Sequence, residues 1–175
     1  MHPRKKILDS TRLQKQADKY HANRRLVVTT NGCFDLLHAG HYRSLEKTRR
    51  MGDVLFVGIN SDASVQRLKG PTRPIINQED RAYQLSCLSF VDWVYIFPED
   101  TPIQFLSIVR PTFHCKGGDY DPHNLPETPI VEQHGGTCCS IPIIDSISTT
   151  DIILRCAQVF DRESHETRRQ TPSIR

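Results

Sequence analysis

Two histidines, His38 and His41, stand three residues apart in "TTNGCFDLLHAGH" (29–41), with Gly40 between them and an apolar run just before. Side chains at that spacing project to one side of a helix's first turn, so the two imidazoles could grip a metal, hold an anion or merely decorate a turn. Zinc needs a third and a fourth ligand. Cys33 is the only sulfur close in sequence, and its spacing matches no common zinc framework. A plain strand-to-helix turn needs no ligand at all. Phosphate is the reading these residue types favour: a helix starting near Gly40 offers free N–H groups and its positive end. Glycine there would let a phosphate approach the backbone, and imidazole N–H groups can donate to phosphate oxygens as charge builds in a phosphoryl transition state.

Further polar clusters follow later apolar runs. "NSD" (60–62) carries Asn60 and Asp62, although Ser61 or Asp62 could simply cap the next helix. "LKGPTRP" (68–74) sets Lys69 and Arg73 on a Gly/Pro-rich loop, able to close cations over a triphosphate or to be an exposed turn. Arg81 in "EDRA" falls early in a helical pattern, where the dipole disfavours a cation. A substrate phosphate would explain it, as would a carboxylate partner. In "KGGDY" (116–120), Gly117 and Gly118 allow close backbone approach beside Lys116, and Asp119 can accept from a hydroxyl. In "SISTTD" (146–151), Ser148 and Asp151 have capping-box spacing, while Thr149 and Thr150 add hydroxyls at a second helix N-terminus.

These clusters need a scaffold, and the pattern predicts one. Five runs rich in branched, aromatic or thiol side chains read as strands: 25–30, 54–60, 92–97, 111–115 and 137–144. Helical periodicity fills 41–52, 62–69, 78–89 and 102–109, with a shorter turn at 129–136. Thr101-Pro102 looks like an N-cap followed by proline at N1, and Gly52 and Gly135 sit where C-terminal glycines belong. Alternation of this kind predicts an α/β, Rossmann-like domain, with a five-stranded, mostly parallel sheet and helices on both faces. Ligands then bind beyond the carboxyl ends of the strands, so the residues directly after each strand are the decisive ones. Residues 1–23 read as a helical extension, 24–160 as the domain and 161–175 as a polar tail.

Composition narrows the partners. The 175 residues suit one domain; 37% are apolar and 25% charged, and a net charge of +3 fits small anionic ligands better than nucleic acid. No stretch nears the ~20 consecutive apolar residues of a membrane span, and the start lacks the apolar core of a signal peptide. Six irregularly spaced cysteines read as reduced thiols and a cytoplasmic location. Neither G-x-G-x-x-G nor G-x-x-x-x-G-K-[ST] occurs, which argues against a dinucleotide oxidoreductase and a P-loop enzyme.

"TNGCFDLLHAGH" resembles the signature of the HxGH nucleotidyltransferases. With "GINSDASVQRLKGPTRPI", "EDRAYQLSCLSFVDWVYIFPEDTP", "CKGGDY" and "SISTTDII", the stretch 24–158 resembles the heptose 1-phosphate nucleotidyltransferases, counterparts of the C-terminal domain of bifunctional ADP-heptose synthases. The resemblance implies AMP transfer from ATP to D-glycero-D-manno-heptose 1-phosphate with Mg²⁺, no protein metal ligand, and a possible homodimer. It implies His38, His41 and Lys69 as catalytic residues. Asn31, Gly32, Cys33, Phe34, Gly40, Lys116, Gly117, Asp119, Ser148, Thr149 and Thr150 would bind nucleotide; Asp35, Asn60, Asp62 and Arg81 would bind the sugar phosphate. Some superfamily members carry a basic residue near the last motif, where Ile143 and Ile153 stand here and Arg155 lies further on. Cytidylyl or guanylyl transfer to this or another polyol phosphate, such as glycerol 3-phosphate, and a silent nucleotide-binding module are the competing readings.

Overall fold

A computed structural model describes residues 1–118, 121–142 and 147–170, with side chains defined up to residue 160 apart from position 123. All strands pair in parallel, in the order β1-β4-β3-β2-β5-β6. These are β1 (Ile7–Leu8), β2 (Val27–Gly32), β3 (Val54–Asn60), β4 (Trp93–Phe97), β5 (Phe113–Gly117) and β6 (Thr137–Ile141). Among the described residues the sheet therefore has six strands rather than five. The extra one, β1, has only two residues and follows a 3-10 turn at Pro3–Lys6, too short for alternation to announce it. It pairs with β4 and brings the N-terminal segment onto the sheet edge.

Helices α1 (Ser10–Ala22), α5 (Ile103–Val109) and α6 (Thr128–Gln133) cover one face. Leu13, Phe105, Leu106, Val109 and Val131 pack there on Val27, Phe56 and Phe97. Helices α2 (Ala39–Arg49) and α4 (Gln78–Ser86) cover the other, where Leu45, Ala82 and Leu85 meet Val28, Leu55 and Val57. Strand residues alternate between the two cores because successive side chains point to opposite faces. Helix α3 (Asp62–Lys69) follows β3, and α7 (Thr149–Gln170) follows β6.

Two details differ from expectation. Helix α5 starts at Ile103 with Pro102 as its N-cap: the Pro102 carbonyl accepts from the Leu106 amide at 2.9 Å, and Thr101 supplies no cap. Helix α7 continues to Gln170, through the segment expected to be a polar tail from 161. Its Arg, Glu and Gln residues are good helix formers, and no glycine or proline interrupts them before Pro172.

From β2 the chain steps outward to β3 and β4, then returns to the other side of β2 for β5 and β6. The crevice between β2 and β5 is thus the switch point at which such sheets bind ligands. Its position depends on how β2 meets the turn after α2. Gly52 lies where an added Cβ would sit 2.5 Å from Val28 Cγ2 and 2.7 Å from the Leu26 carbonyl oxygen. It serves close approach to β2 rather than a left-handed helix end, the role that Gly135 fills with φ +77°. Gly52→Ala should therefore lower unfolding free energy by about 1–3 kcal/mol, as overpacking does. Urea denaturation measures it, and an unchanged midpoint would mean that the turn yields freely.

Candidate active site

The segment after β2 makes the floor of the site. Phe34 takes φ +48°, a left-handed conformation uncommon for a bulky residue. That turn lays its ring against Gly32, where a Cβ would stand 3.2 Å from Phe34 Cε2. His38 is the N-cap of α2 in extended conformation and makes no side-chain cap bond, which leaves the first-turn amides facing the crevice. Its ring lies against His41 at a 39° tilt with centroids 3.9 Å apart, and Phe34 backs His41 at 5.3 Å. A Cβ on Gly40 would lie 3.1 Å from the His38 ring, so this glycine makes room for the imidazole. Burial first, and the neighbouring His38 second, push the His41 pKa down to about 4. The free protein therefore presents a neutral His41 at pH 7.

Opposite this pair, the N-terminus of α7 carries a reciprocal cap. The Ser148 amide donates to Asp151 Oδ2 at 3.0 Å, and the Asp151 amide to Ser148 Oγ at 3.2 Å. Thr149 Oγ1 donates to the Leu36 carbonyl at 3.4 Å, tying the two helix starts together. Both positive ends face one cleft.

The cleft has two continuous parts. One, of about 450 Å³, is bounded by His38, Gly40, Ser44, Gly117, Ile147 and Ser148 among others. The other, of about 690 Å³, reaches Asp35, Asn60, Arg73, Thr101, Lys116 and Glu127, and Thr150 at its rim. Asn31, Gly32, Cys33, Phe34, His41, Lys69, Ser148 and Thr149 border both. A separate hollow of about 470 Å³ lies along α7 between Ile152 and Phe160, away from these groups. Asp119 lies outside the described residues.

Two expected sugar-phosphate ligands do other work. Arg81 has no exposed surface and does not border the cleft. Its Nε donates to the Ile76 carbonyl at 2.9 Å, Nη1 to the Cys33 carbonyl at 2.5 Å, and Nη2 to the Asn60 carbonyl at 2.9 Å and Asp62 Oδ1 at 2.7 Å. Arg81 is a strut, not a phosphate ligand, and Asp62 is its counterion. The helix dipole at its early position in α4 is countered by these acceptors.

Asp35 walls the cleft but is only 2% exposed. Its carboxylate accepts from Arg73 Nε at 2.6 Å and from the Ile75 and Ile76 amides at 2.8 and 3.0 Å. Burial would raise its pKa, but those two amides and Arg73 hold it below the ordinary carboxylate value. Asn60 is buried, with its amide donating to Ser64 Oγ at 3.0 Å. Burial also raises the Cys33 thiol, and all six cysteines are free.

Glu127 borders the cleft and no sequence signal pointed to it. It is only 3% exposed and accepts from Lys116 Nζ at 2.5 Å. Only the fold brings that carboxylate to the lysine, across the loop after β5. Among the described residues no group of three or more His, Cys, Asp or Glu side chains is placed to hold a metal ion. No described helix is long and apolar enough to cross a membrane.

Residues 29–155 match the Cytidylyltransferase-like family. The chain belongs to that family. Membership makes it a nucleotidyltransferase by class. It is 48% identical over 138 residues to the bifunctional protein HldE of Syntrophotalea carbinolica, covering 79% of this chain and 28% of that protein. Against HldE of Trichlorobacter lovleyi the identity is 46% over 142 residues, covering 81% and 29%. The chain thus spans less than a third of these relatives. Among solved structures, it resembles a lipopolysaccharide core biosynthesis protein of Thermoplasma volcanium, with TM-score 0.58 and 26% identity over 70% of this chain and 99% of that one. A pantoate-beta-alanine ligase of Francisella tularensis shares the fold alone, at 14% identity, TM-score 0.56 and coverage of 85% and 76%.

Both His41 and the fully buried His114 have pKa values pushed down to about 4, chiefly by burial. Unfolded, each titrates near 6.5. The unfolded chain therefore binds more protons between those values, so this stability is complete above about pH 6.5 and is lost as pH falls toward 4. The thermal midpoint should drop from pH 7 to pH 5, and His114→Gln should flatten that drop. Equal slopes in both proteins would show that His114 does not bury a neutral ring.

Proposed function

We propose that this domain transfers AMP from ATP to D-glycero-D-manno-heptose 1-phosphate, giving ADP-heptose and pyrophosphate. The observation that carries the reading is the close His38–His41 pair at the start of α2, facing the start of α7 across the β2–β5 crevice, with Lys69 alongside. Two helix N-termini, two imidazoles and an ammonium form a cradle for a polyphosphate. The HldE relatives and the resemblance to heptose 1-phosphate nucleotidyltransferases supply the choice of acceptor.

A phosphate oxygen of the acceptor attacks the α-phosphorus in line. The new O–P bond forms as the bond to the β-bridging oxygen breaks, and its electron pair leaves with pyrophosphate. The acceptor phosphate is already an anion, so no residue need remove a proton. His38 and His41 donate to oxygens of the α-phosphate as charge accumulates, and Lys69 offsets charge on the leaving group. The triphosphate arrives as its magnesium complex. Asp35 and Asp62 are already engaged, so the phosphates themselves would supply most of the ion's ligands, as is common for Mg²⁺. Thr149, Thr150 and Ser148 would present hydroxyls and amides to the β- and γ-phosphates. Lys69, together with the magnesium that the triphosphate would carry, would stand in for the basic residue that other superfamily members carry near this motif.

Triphosphate binding offers a test of the imidazoles alone. Its negative charge favours the protonated ring, so near pH 6 wild-type protein should take up more protons with ATP than His41→Asn does. Calorimetry in buffers of different ionisation enthalpy reads the difference, and no difference would remove His41 from the phosphates. His38→Ala and His41→Ala should each lower kcat by roughly 10²-fold or more, as loss of one transition-state donor does, without loss of folding by circular dichroism. Near-normal kcat in either would sink this mechanism.

Acceptor and base are tested by competition. Heptose 1-phosphate should exceed glycerol 3-phosphate by on the order of 10³ in kcat/KM, because missing hydroxyls leave site groups unpaired, and ATP should outrun CTP. Equal or better turnover of glycerol 3-phosphate with CTP would assign the domain to the cytidylyl-transfer reading.

A further inference from the structure

Strand alternation puts three polar side chains on one face at the carboxyl ends of three neighbouring strands. On β5 and β2, His114 stands opposite Thr29 and bonds to it, Nδ1 to Oγ1, at 2.9 Å. Two residues further along each strand, Lys116 and Asn31 project to that same face. Asn60 ends β3 with the same parity as Phe56, which belongs to the α1/α5/α6 core. Above them the chain after β5 returns as Leu125, Pro126 and Glu127, and Thr101-Pro102 closes the other side.

Within this enclosure Lys116 is fixed. Its ammonium donates to Glu127 Oε1 at 2.5 Å and to Asn31 Oδ1 at 3.4 Å, while a quarter of its side chain remains exposed. Glu127 Oε2 is buried with no hydrogen-bond partner, and so is Nε2 of the neighbouring His114. Burial would raise the Glu127 carboxyl, but the Lys116 bond and charge hold it down. The result is an intact ion pair without net charge. Fixed positive charge is concentrated instead at the two helix N-termini and Lys69.

That contrast separates the ends of the cleft by chemistry. His38, Gly40 and Ser44, at the start of α2, border only one part; Lys116 and Glu127 border only the other, and Ser148 and Thr149 at the start of α7 border both. A triphosphate belongs with the helix ends. A neutral polyol belongs with an ion pair whose part-exposed ammonium stays available as a donor between the apolar walls of Leu125, Pro126 and Pro102. The family resemblance would put Lys116 with the nucleotide. We infer instead that Lys116, held in place by Glu127, reads the hydroxyl groups of the acceptor's sugar body and sets acceptor specificity. Lys116 is the contacting residue and Glu127 the positioning residue that acts through it. The inference rests on the proposed sugar 1-phosphate acceptor.

Wild type, Lys116→Met and Glu127→Gln are compared by steady-state kinetics with heptose 1-phosphate and ATP, by calorimetry with a non-hydrolysable ATP analogue, and by thermal melting. Lys116→Met should raise the acceptor KM by about 10- to 100-fold, the range for loss of a hydrogen bond to a charged group. Glu127→Gln should raise it by about tenfold through the displaced ammonium. In both, analogue affinity should stay within about twofold and kcat should fall far less than KM rises, a split that general damage to the fold would not give. The preference for heptose 1-phosphate over glycerol 3-phosphate should shrink in parallel. Weakened analogue binding with an unchanged acceptor KM would return Lys116 to the nucleotide. Wild-type acceptor KM in Lys116→Met would also overturn the inference. Absence of turnover with any sugar 1-phosphate in wild type would sink the proposed function and this inference together, a result distinct from either variant outcome.

Discussion

Enclosing a guanidinium with no surface in water is strongly unfavourable unless its N–H groups find oxygens, and Arg81 finds four acceptors from three separate stretches of chain. The Cys33 carbonyl belongs to the segment after β2, Asn60 to the end of β3, Asp62 to the start of α3, and Ile76 to the loop before α4. The histidine-bearing segment, the base of the acceptor side and the loop between Lys69 and α4 are therefore registered to one planar group. A lysine could not replace it, since a single ammonium cannot present donors in a rigid fork. Removing the guanidinium would leave the Asp62 carboxylate and three carbonyls without their partner, a change expected to cost about 3–5 kcal/mol.

Asp35 extends the same device. It takes two amides and Arg73 from the loop after α3 and so draws that loop against the histidine segment. Lys69 sits at the C-terminal end of α3, where a cation suits the helix dipole, and the tethered loop follows directly. The carboxylates and guanidinium nearest the two helix starts thus position backbone, and under the proposed function charge for the substrate would come from helix ends, Lys69 and imidazoles. These bonds fix the backbone around the histidines, which suits chemistry that depends on placing two phosphates in line.

Much of this was legible in the sequence because it is local. Strand–helix alternation gave the sheet, the Ser148–Asp151 spacing gave the α7 cap, and the HxGH spacing gave the paired rings. What was not legible is how charged side chains divide between site and scaffold. Arg81 and Asp62 lie nineteen positions apart and Arg73 and Asp35 thirty-eight. Nothing in composition or period distinguishes a charge that meets substrate from one that meets another buried charge. Glu127 escaped notice for the same reason: its significance lies in reaching Lys116 across a loop. Strand β1 escaped because two residues carry no periodicity, and the helical run of α7 because its polar residues resemble those of a solvated tail.

The two faces of the sheet then explain why one crevice can hold two substrates of different character. Odd positions of β2 end in Asn31 on the α5/α6 side, and even positions end in Gly32 on the α2 side, where the absent side chain admits the Phe34 ring and, behind it, His41. The α2 side is rimmed by helix N-termini, a field suited to polyphosphate. The α5/α6 side is rimmed by asparagines and a neutral ion pair, donors and acceptors suited to hydroxyls. His41 and Lys69 border both parts of the cleft, and a bond made between the two substrates must form at that boundary. Strand alternation at the ends of β2, β3 and β5 is what puts Asn31, Asn60 and Lys116 on one side of the sheet and leaves the other to Phe34 and His41, the division on which the proposed pairing of substrates rests.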